Sequence, residues 1–370
     1  MGASNDLSSI GMNRLSTYIV AIVLSSFLFS MAAQQRYRLV WNDEFSGTSL
    51  DEEAWNIEVN GDGGGNAELQ YYTRENVSIE IDPISGESCL VLTAKKQNYN
   101  GKSFTSGRLN SADKVYFTRG KVESRIKLPS TANGLWPAFW MLGNDFKEVG
   151  WPRCGEIDIL EMGNATGISR GTQDRFFNGA CHWGYYKNGA YPNYARSTTN
   201  SYSLQDGEFH IFTLEWDEEY VTMYLDQDKY PDAEPYYKMG VSDMSSDWGT
   251  GFYFQHDFFI VYDLAVGGYF TGILSPNGIT ALNDGDAKMY IDWVRVYQQE
   301  DDINAIVPED WEFIPCDVNK DGNVNVSDVT ALINMILGLS HKDWLYADCN
   351  EDGHINVSDV TSLINNILGI

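Results

Sequence analysis

Between residues 37 and 298 the chain reads as short strand-like runs, some alternating apolar and polar side chains with a two-residue period and others almost wholly apolar. Such runs cover residues 37–41, 89–96, 121–128, 135–142, 156–161, 209–217, 220–227, 258–266 and 288–297. Clusters of Gly, Asn, Asp and Pro separate them, and no long stretch carries the 3.6-residue period of a crossover helix. Many short strands without crossovers predict an all-β antiparallel sandwich of packed sheets.

After residue 298 the pattern changes. Residues 299–315 are acidic, contain two prolines and read as a linker. Residues 316–370 are a duplication, in which Asp317 to Asp328 is echoed by Asp348 to Asp359. Each copy sets oxygen-bearing side chains at positions 1, 3, 5, 9 and 12 of a loop, with Gly at 6 for a sharp turn, which is the spacing of a calcium cage. In the first loop these are Asp317, Asn319, Asp321, Asn325 and Asp328; in the second, Asp348, Asn350, Asp352, Asn356 and Asp359. Position 7, held by Asn323 and His354, supplies a backbone carbonyl, so His354 needs no ring contact with metal. Two structural calcium ions are expected in this small module.

At the other end, Arg14 precedes an apolar run from Tyr18 to Phe29, followed by Ser30, Ala32 and Ala33. This predicts a signal peptide over residues 1–33, cleaved near Ala33, and it is too short for a stable membrane span. The product is then secreted or held at the cell surface. Five cysteines, an odd and small number, do not make a disulfide scaffold. A formal charge of −27 excludes nucleic acid as a partner and disfavours sulfated or uronic polymers, whereas a neutral polysaccharide meets no repulsion. With 11 Trp and 22 Tyr, the chain has rings enough to line a groove on which sugar faces stack. A monomer is expected.

Candidate chemistry is concentrated in Gly155-Glu156-Ile157-Asp158-Ile159-Leu160-Glu161. Alternation puts Glu156 and Asp158 on one face, and strict alternation would send Glu161 to the other. One inserted residue, a β-bulge, returns Glu161 to their side. Retaining glycosidases hold two carboxyl groups roughly 5 to 5.5 Å apart. Fully extended, this strand would separate the two Cα atoms by about 16 Å. It must therefore shorten at the bulge and lie on a concave face. A bare acidic run would read as a solvent-facing edge. The neighbouring Trp136-Pro-Ala-Phe-Trp140 changes that reading: Trp136, Ala138 and Trp140 share a face and leave a gap between two rings, while Phe139 and Met141 point to the core.

With those residues in view, residues 37–298 resemble glycoside hydrolase family 16. The resemblance is carried by Trp41-Asn-Asp-Glu-Phe45, Glu68-Leu-Gln-Tyr-Tyr-Thr73, Thr105-Ser-Gly-Arg108, Trp136-Pro-Ala-Phe-Trp-Met-Leu-Gly143, Gly155 to Glu161, Leu264-Ala-Val-Gly-Gly268 and Met289-Tyr-Ile-Asp-Trp-Val-Arg-Val-Tyr297. It implies a β-jelly-roll with a long cleft and endo-acting, retaining hydrolysis without a catalytic cofactor. It also implies Glu156 as nucleophile, Asp158 as its assistant and Glu161 as acid/base. By the same carry-over Glu68, Arg108, Trp136, Trp140, Trp151 and His182 line the cleft, and a structural calcium on the convex face involves Glu44 and Asp292. Asp263 stands where many relatives have Asn.

The bulged form of the acidic run resembles the laminarinase type, although agarases and carrageenases share it. The Trp136 and Glu68 blocks are similar to those of β-1,3-glucanases. The expected substrate is β-1,3-glucan or mixed-linkage β-1,3-1,4-glucan; a galactan hydrolase of the same fold and a non-catalytic carbohydrate-binding module are the alternatives. Residues 316–370 resemble a type I dockerin, with Asp at position 12 and one helix after each loop. This implies an all-α module with a cohesin-type protein partner and a bacterial source. Val326-Ser327 and Val357-Ser358 stand where cellulosomal examples commonly carry Ser-Thr.

Overall fold

The computed structural model describes residues 37–340, 343–350 and 352–370, so the expected signal peptide lies outside the described residues. Two eight-stranded sheets pack face to face. The outer sheet runs Tyr237–Gly240, Tyr220–Leu225, His210–Trp216, Gly120–Lys127, Ala287–Gln299, Ser88–Ala94, Val77–Ile81, and Tyr37–Asp43 adds to the Ala287–Gln299 strand. The inner sheet runs Asn193–Thr199, Phe176–His182, Glu156–Met162, Leu135–Gly143, Phe258–Val266, Arg108–Asn110, Asn56–Ile57, with Tyr116–Phe117 beside Phe258–Val266. Every pairing within these two sheets is antiparallel. The expected sandwich is the observed one.

Alternation explains where the core sits. In Gly120–Lys127, Val122 and Ile126 join the central cluster, while Lys121, Glu123 and Arg125 are partly exposed on the other side. Leu90 and Leu92, Phe212 and Leu214, and Val294 and Val296 do the same from neighbouring strands of the outer sheet. Phe139, Met141, Ile260, Tyr262 and Leu264 meet them from the inner sheet. Burying each such side chain stabilises the fold by about 1.5–3 kcal/mol before the entropy of ordering is counted.

The acidic stretch expected as a linker packs against the sandwich. Ile306 forms a bridge with Tyr116, Ala305, Val307 and Trp311 lie against the central cluster, and Gln298 and Thr118 bond Asn304. Its apolar residues find uncovered sandwich edge, which a purely polar spacer would not. Beyond it, helices Val326–Ile336, Trp344–Ala347 and Val357–Leu368 enclose a separate small core of Val318, Leu332, Met335, Ala347, Ile355 and Leu363. The two longer helices each begin on a capping box, Asn325 with Asp328 and Asn356 with Asp359. Among the described residues no helix is long and apolar enough to cross a membrane.

Candidate active site

The strand Glu156–Met162 is bracketed by Gly155 at φ +74° and Gly163 at φ +99°, where a Cβ would meet the Tyr253 carbonyl at 2.5 Å and the Leu135 carbonyl at 2.0 Å. Only glycine fits at these two corners. Between them the register slips by one residue. Asp158 pairs with Trp140 and Leu160 with Phe139 on one side, and on the other Asp158 pairs with Ala180 and Glu161 with Asn178. Ile157, Ile159, Leu160 and Met162 all belong to the core cluster, so the inserted residue is absorbed inward. Glu156, Asp158 and Glu161 are left facing one cleft. The expected bulge is there.

That cleft, about 1200 Å³, crosses the inner sheet and is lined by all the residues that the resemblance assigned to it: Glu68, Arg108, Trp136, Trp140, Trp151 and His182. Each tryptophan anchors an acid through its indole N–H. Trp136 donates to Glu161 Oε1 at 3.2 Å, Trp151 to Glu156 Oε2 at 3.1 Å and Trp140 to Asp263 Oδ1 at 2.7 Å. These bonds fix the orientation of the rings. Arg108 ion-pairs with Glu58 at 3.0 Å and lies over the Trp140 ring at 5.0 Å. Gln70 and Tyr72 donate to Glu68 Oε2 at 2.6 and 3.0 Å.

Electrostatically the cleft holds too many acids for all to ionise. Burial, then the negative charge of Asp158, pushes the Glu156 carboxyl up to about 8, with His182 and Trp151 pulling it back. Burial and Asp263 push Asp158 up to about 8. Glu161 rises well above the ordinary carboxylate value through burial and Asp158, which His182 opposes. Asp263 itself is raised to about 7 by burial, against the pull of Arg108. One atom each of Glu156, Asp158 and His182 lie within 4.8 Å of one another, so their charges are tightly linked. Such a group can keep one carboxyl protonated beside one ionised.

The cleft also contains residues that sequence reasoning passed over. Tyr72 contacts both Glu68 and Asp263, and its place two strand periods after Glu68 could have revealed it. Asn178 is buried opposite Glu161, its Oδ1 without a hydrogen-bond partner among the described residues, and Tyr191 bonds His182 Nδ1 at 3.2 Å. Neither has a local sequence signal, because strand pairing brings in Asn178 and the loop before Asn193–Thr199 brings in Tyr191.

Comparison with known proteins agrees with this geometry. Glycosyl hydrolases family 16 matches residues 65–244. The solved Bacteroides ovatus mixed linkage glucan PUL family 16 protein, in complex with a G4G4G3G product, is 39% identical, with a TM-score of 0.61 over 70% of this chain and 100% of that one. The glucan endo-1,3-beta-glucosidase of Cryptopygus antarcticus is 33% identical over 66% of this chain and 86% of that protein. The chain belongs to glycosyl hydrolase family 16. The clotting factor G alpha subunit of Tachypleus tridentatus is 35% identical over 72% of this chain, but the chain spans only 34% of its length.

Downstream of the family 16 domain, the Dockerin type I domain matches residues 315–368. Its loops are braced by their own acids. Asp317 accepts from the amides of Asp321 and Gly322, and Asp328 from those of Asn319 and Asn325. Asp348 and Asp359 repeat these contacts in the second loop. Burial, and after the bracing amides the charges of Asp328 and Asp321, raise the Asp317 carboxyl, a strain that a hard cation among these oxygens would relieve. The donor set therefore fits calcium.

Glu44 and Asp292, expected around a further calcium, both lie in ion pairs. Glu44 is engaged by Arg295 and Lys320, and Asp292 by Arg125. Cationic side chains meet both charges at this place.

Proposed function

We propose that the family 16 domain is an endo-acting, retaining hydrolase of β-1,3-glucan or mixed-linkage β-1,3-1,4-glucan. The observation that carries this is the bulge that sets Glu156, Asp158 and Glu161 on one face of a cleft walled by oriented tryptophans. The proteins it resembles, a mixed linkage glucan enzyme and an endo-1,3-beta-glucosidase, support the substrate class.

Glu161, a carboxyl that burial and Asp158 raise well above its ordinary value, donates its proton to the leaving glycosidic oxygen. Glu156, once ionised, attacks the anomeric carbon and forms a glycosyl ester. Esterification removes one negative charge beside Glu161, whose pKa falls, and it then takes a proton from the incoming water. Asp158 lies between the two on the strand and holds Glu156 in place through their shared neighbour His182. Glu68, Arg108, Trp136, Trp140 and Trp151 grip the sugar chain on either side. No cofactor enters these steps.

In the dockerin domain, Asp317, Asn319, Asp321, Asn325 and Asp328 hold one calcium, and Asp348, Asn350, Asp352, Asn356 and Asp359 a second. Calcium supplies the charge that lets each loop close on its helix. The domain offers a cohesin-type protein a docking partner, and the chain acts as an exported monomer at or beyond the cell surface.

The test is incubation with laminarin, lichenan, barley β-glucan, xyloglucan and agarose, with products followed in time. Mixed oligosaccharides from the first three, first released as the β-anomer, are expected. Turnover of agarose alone would shift the reading to a galactan hydrolase, and no turnover at all would leave a carbohydrate-binding module.

A further inference from the structure

In the strand Ala287–Gln299, Val294 and Val296 belong to the central core, so Arg295 between them projects from the outer face of the sandwich. An arginine there should reach water. Yet it is only 6% exposed, and Asn42 and Glu44 beside it are 8% and 7% exposed. The dockerin domain covers them.

The contact is a closed set of four charges. Arg295 donates to both Glu44 oxygens at 2.8 and 2.9 Å and to Asp343 Oδ2 at 2.7 Å. Lys320 Nζ reaches Glu44 Oε2 at 2.6 Å and Asp343 Oδ2 at 3.0 Å. Each domain contributes one cation and one anion, and the sum is neutral. Asn42 Nδ2 adds a bond to the Tyr346 hydroxyl at 2.7 Å, and the Trp311 indole donates to the Asn42 carbonyl at 3.2 Å. Buried charges persist only when paired, and removing one partner strands the rest. The set is therefore specific for this docked arrangement.

Lys320 occupies position 4 of the first calcium loop, between Asn319 and Asp321, with its backbone at φ +60°. The second loop carries Glu351 at the same position, a charge that Glu44 would repel. The duplication has diverged where only one copy can dock.

We propose that the outer face around Arg295 and Glu44 is a docking site for this chain's own dockerin domain, keyed by Lys320, and that calcium binding by the first loop is thereby coupled to the stability of the family 16 domain. The coupling rests on the reading that this loop binds calcium. A cation that orders the loop also orders Lys320, and linkage makes the effect reciprocal.

The test uses the full-length protein. Calcium binding is measured by calorimetry, and melting of the family 16 domain by near-ultraviolet circular dichroism with calcium or with chelator. Calcium is expected to raise that melting midpoint by about 2 °C or more. Lys320→Met should retain the heat of calcium binding and lose the shift, and Lys320→Arg should restore it. Tyr346→Phe, which removes one hydroxyl, provides a milder variant that should reduce the shift. Binding heat with no shift in the native chain, or an undiminished shift in both Lys320→Met and Tyr346→Phe, overturns the docking while leaving calcium binding intact. Absence of binding heat overturns the calcium reading and the coupling together.

Discussion

His182 Nε2 lies 3.4 Å from Asp158 Oδ2 and 3.9 Å from Glu156 Oε1, so one imidazole faces two of the three clustered acids. Against burial and Asp158, which raise Glu156, and burial and Asp158, which raise Glu161, His182 acts in the opposite direction on both. Taking it away lets both values climb. The acidic limb of the rate profile requires Glu156 ionised and the basic limb requires Glu161 protonated, so both limbs move the same way. His182→Gln should shift the whole kcat/KM profile toward higher pH, by about half a unit or more. A profile that narrows or moves toward acid would contradict the electrostatic role.

Glu156 and Glu161 should separate by leaving group. Glu161→Ala removes the proton donor, so hydrolysis of glucan should fall by about 10²–10⁴-fold. An aryl glycoside whose phenolate leaves without protonation should still form the glycosyl ester, seen as a burst followed by slow turnover. Glu156→Gln should abolish both reactions. Equal loss on both substrates for Glu161→Ala would remove the acid/base assignment.

The same buried acids weaken the fold. Asp158 rises from 3.8 to about 8, so ionising it in place is unfavourable. Below its unfolded value the carboxyl is neutral in both states and costs nothing extra. Between that value and about 8 the unfolded chain releases the proton more readily, and stability falls as pH rises. Asp158→Asn should therefore be less active yet more stable at pH 8, by several degrees in melting midpoint at roughly 2–4 °C per kcal/mol. The advantage should disappear below about pH 4. Thermal melts at the two pH values check this, and a variant less stable at pH 8 would refute it.

The strands legible in the sequence are those with one dry face and one wet one, or with a nearly unbroken apolar run such as Phe258–Val266. Gly120–Lys127 is an instance, with Val122 and Ile126 inward and Lys121 and Glu123 outward. Phe176–His182 was missed because, although buried apart from His182, it carries Asn178-Gly179 in its middle, which breaks the apolar run and looks like a turn. Asn193–Thr199, at the open edge of the inner sheet, fails for another reason, being polar and exposed almost throughout. In the cleft, the acids of one strand were readable because their spacing is local. Tyr191 and Asn178 arrive from separate strands and loops, where spacing along the chain says nothing. Trp136, Trp140 and Trp151 were readable as rings but not as N–H donors to Glu161, Asp263 and Glu156, since that depends on where the opposite strand puts its acids. The role of Lys320 was hidden for the same reason, its partner Glu44 lying far away in sequence.

The bulge can be tested by removing it. Ile159 and Leu160 both point into the core, so the strand contains one inward residue more than alternation requires. Deleting Ile159 leaves Glu156-Ile157-Asp158-Leu160-Glu161, a regular strand in which the three acids still share the cleft face. One buried isoleucine is lost, at a cost of about 2–5 kcal/mol. The fold should persist with a lower melting midpoint, and measurable glucan hydrolysis should remain. Deleting Ile157 instead makes Glu156 and Asp158 neighbours and turns one of them toward the core. A carboxylate forced inward would have to be neutral or unfold the strand, and hydrolysis should vanish. Comparing melting curves and turnover of the two deletions isolates the placement of the acids from the loss of one apolar side chain. Equal loss of activity in two folded deletion variants would show that the bulge itself, beyond the face it selects, is needed for the reaction.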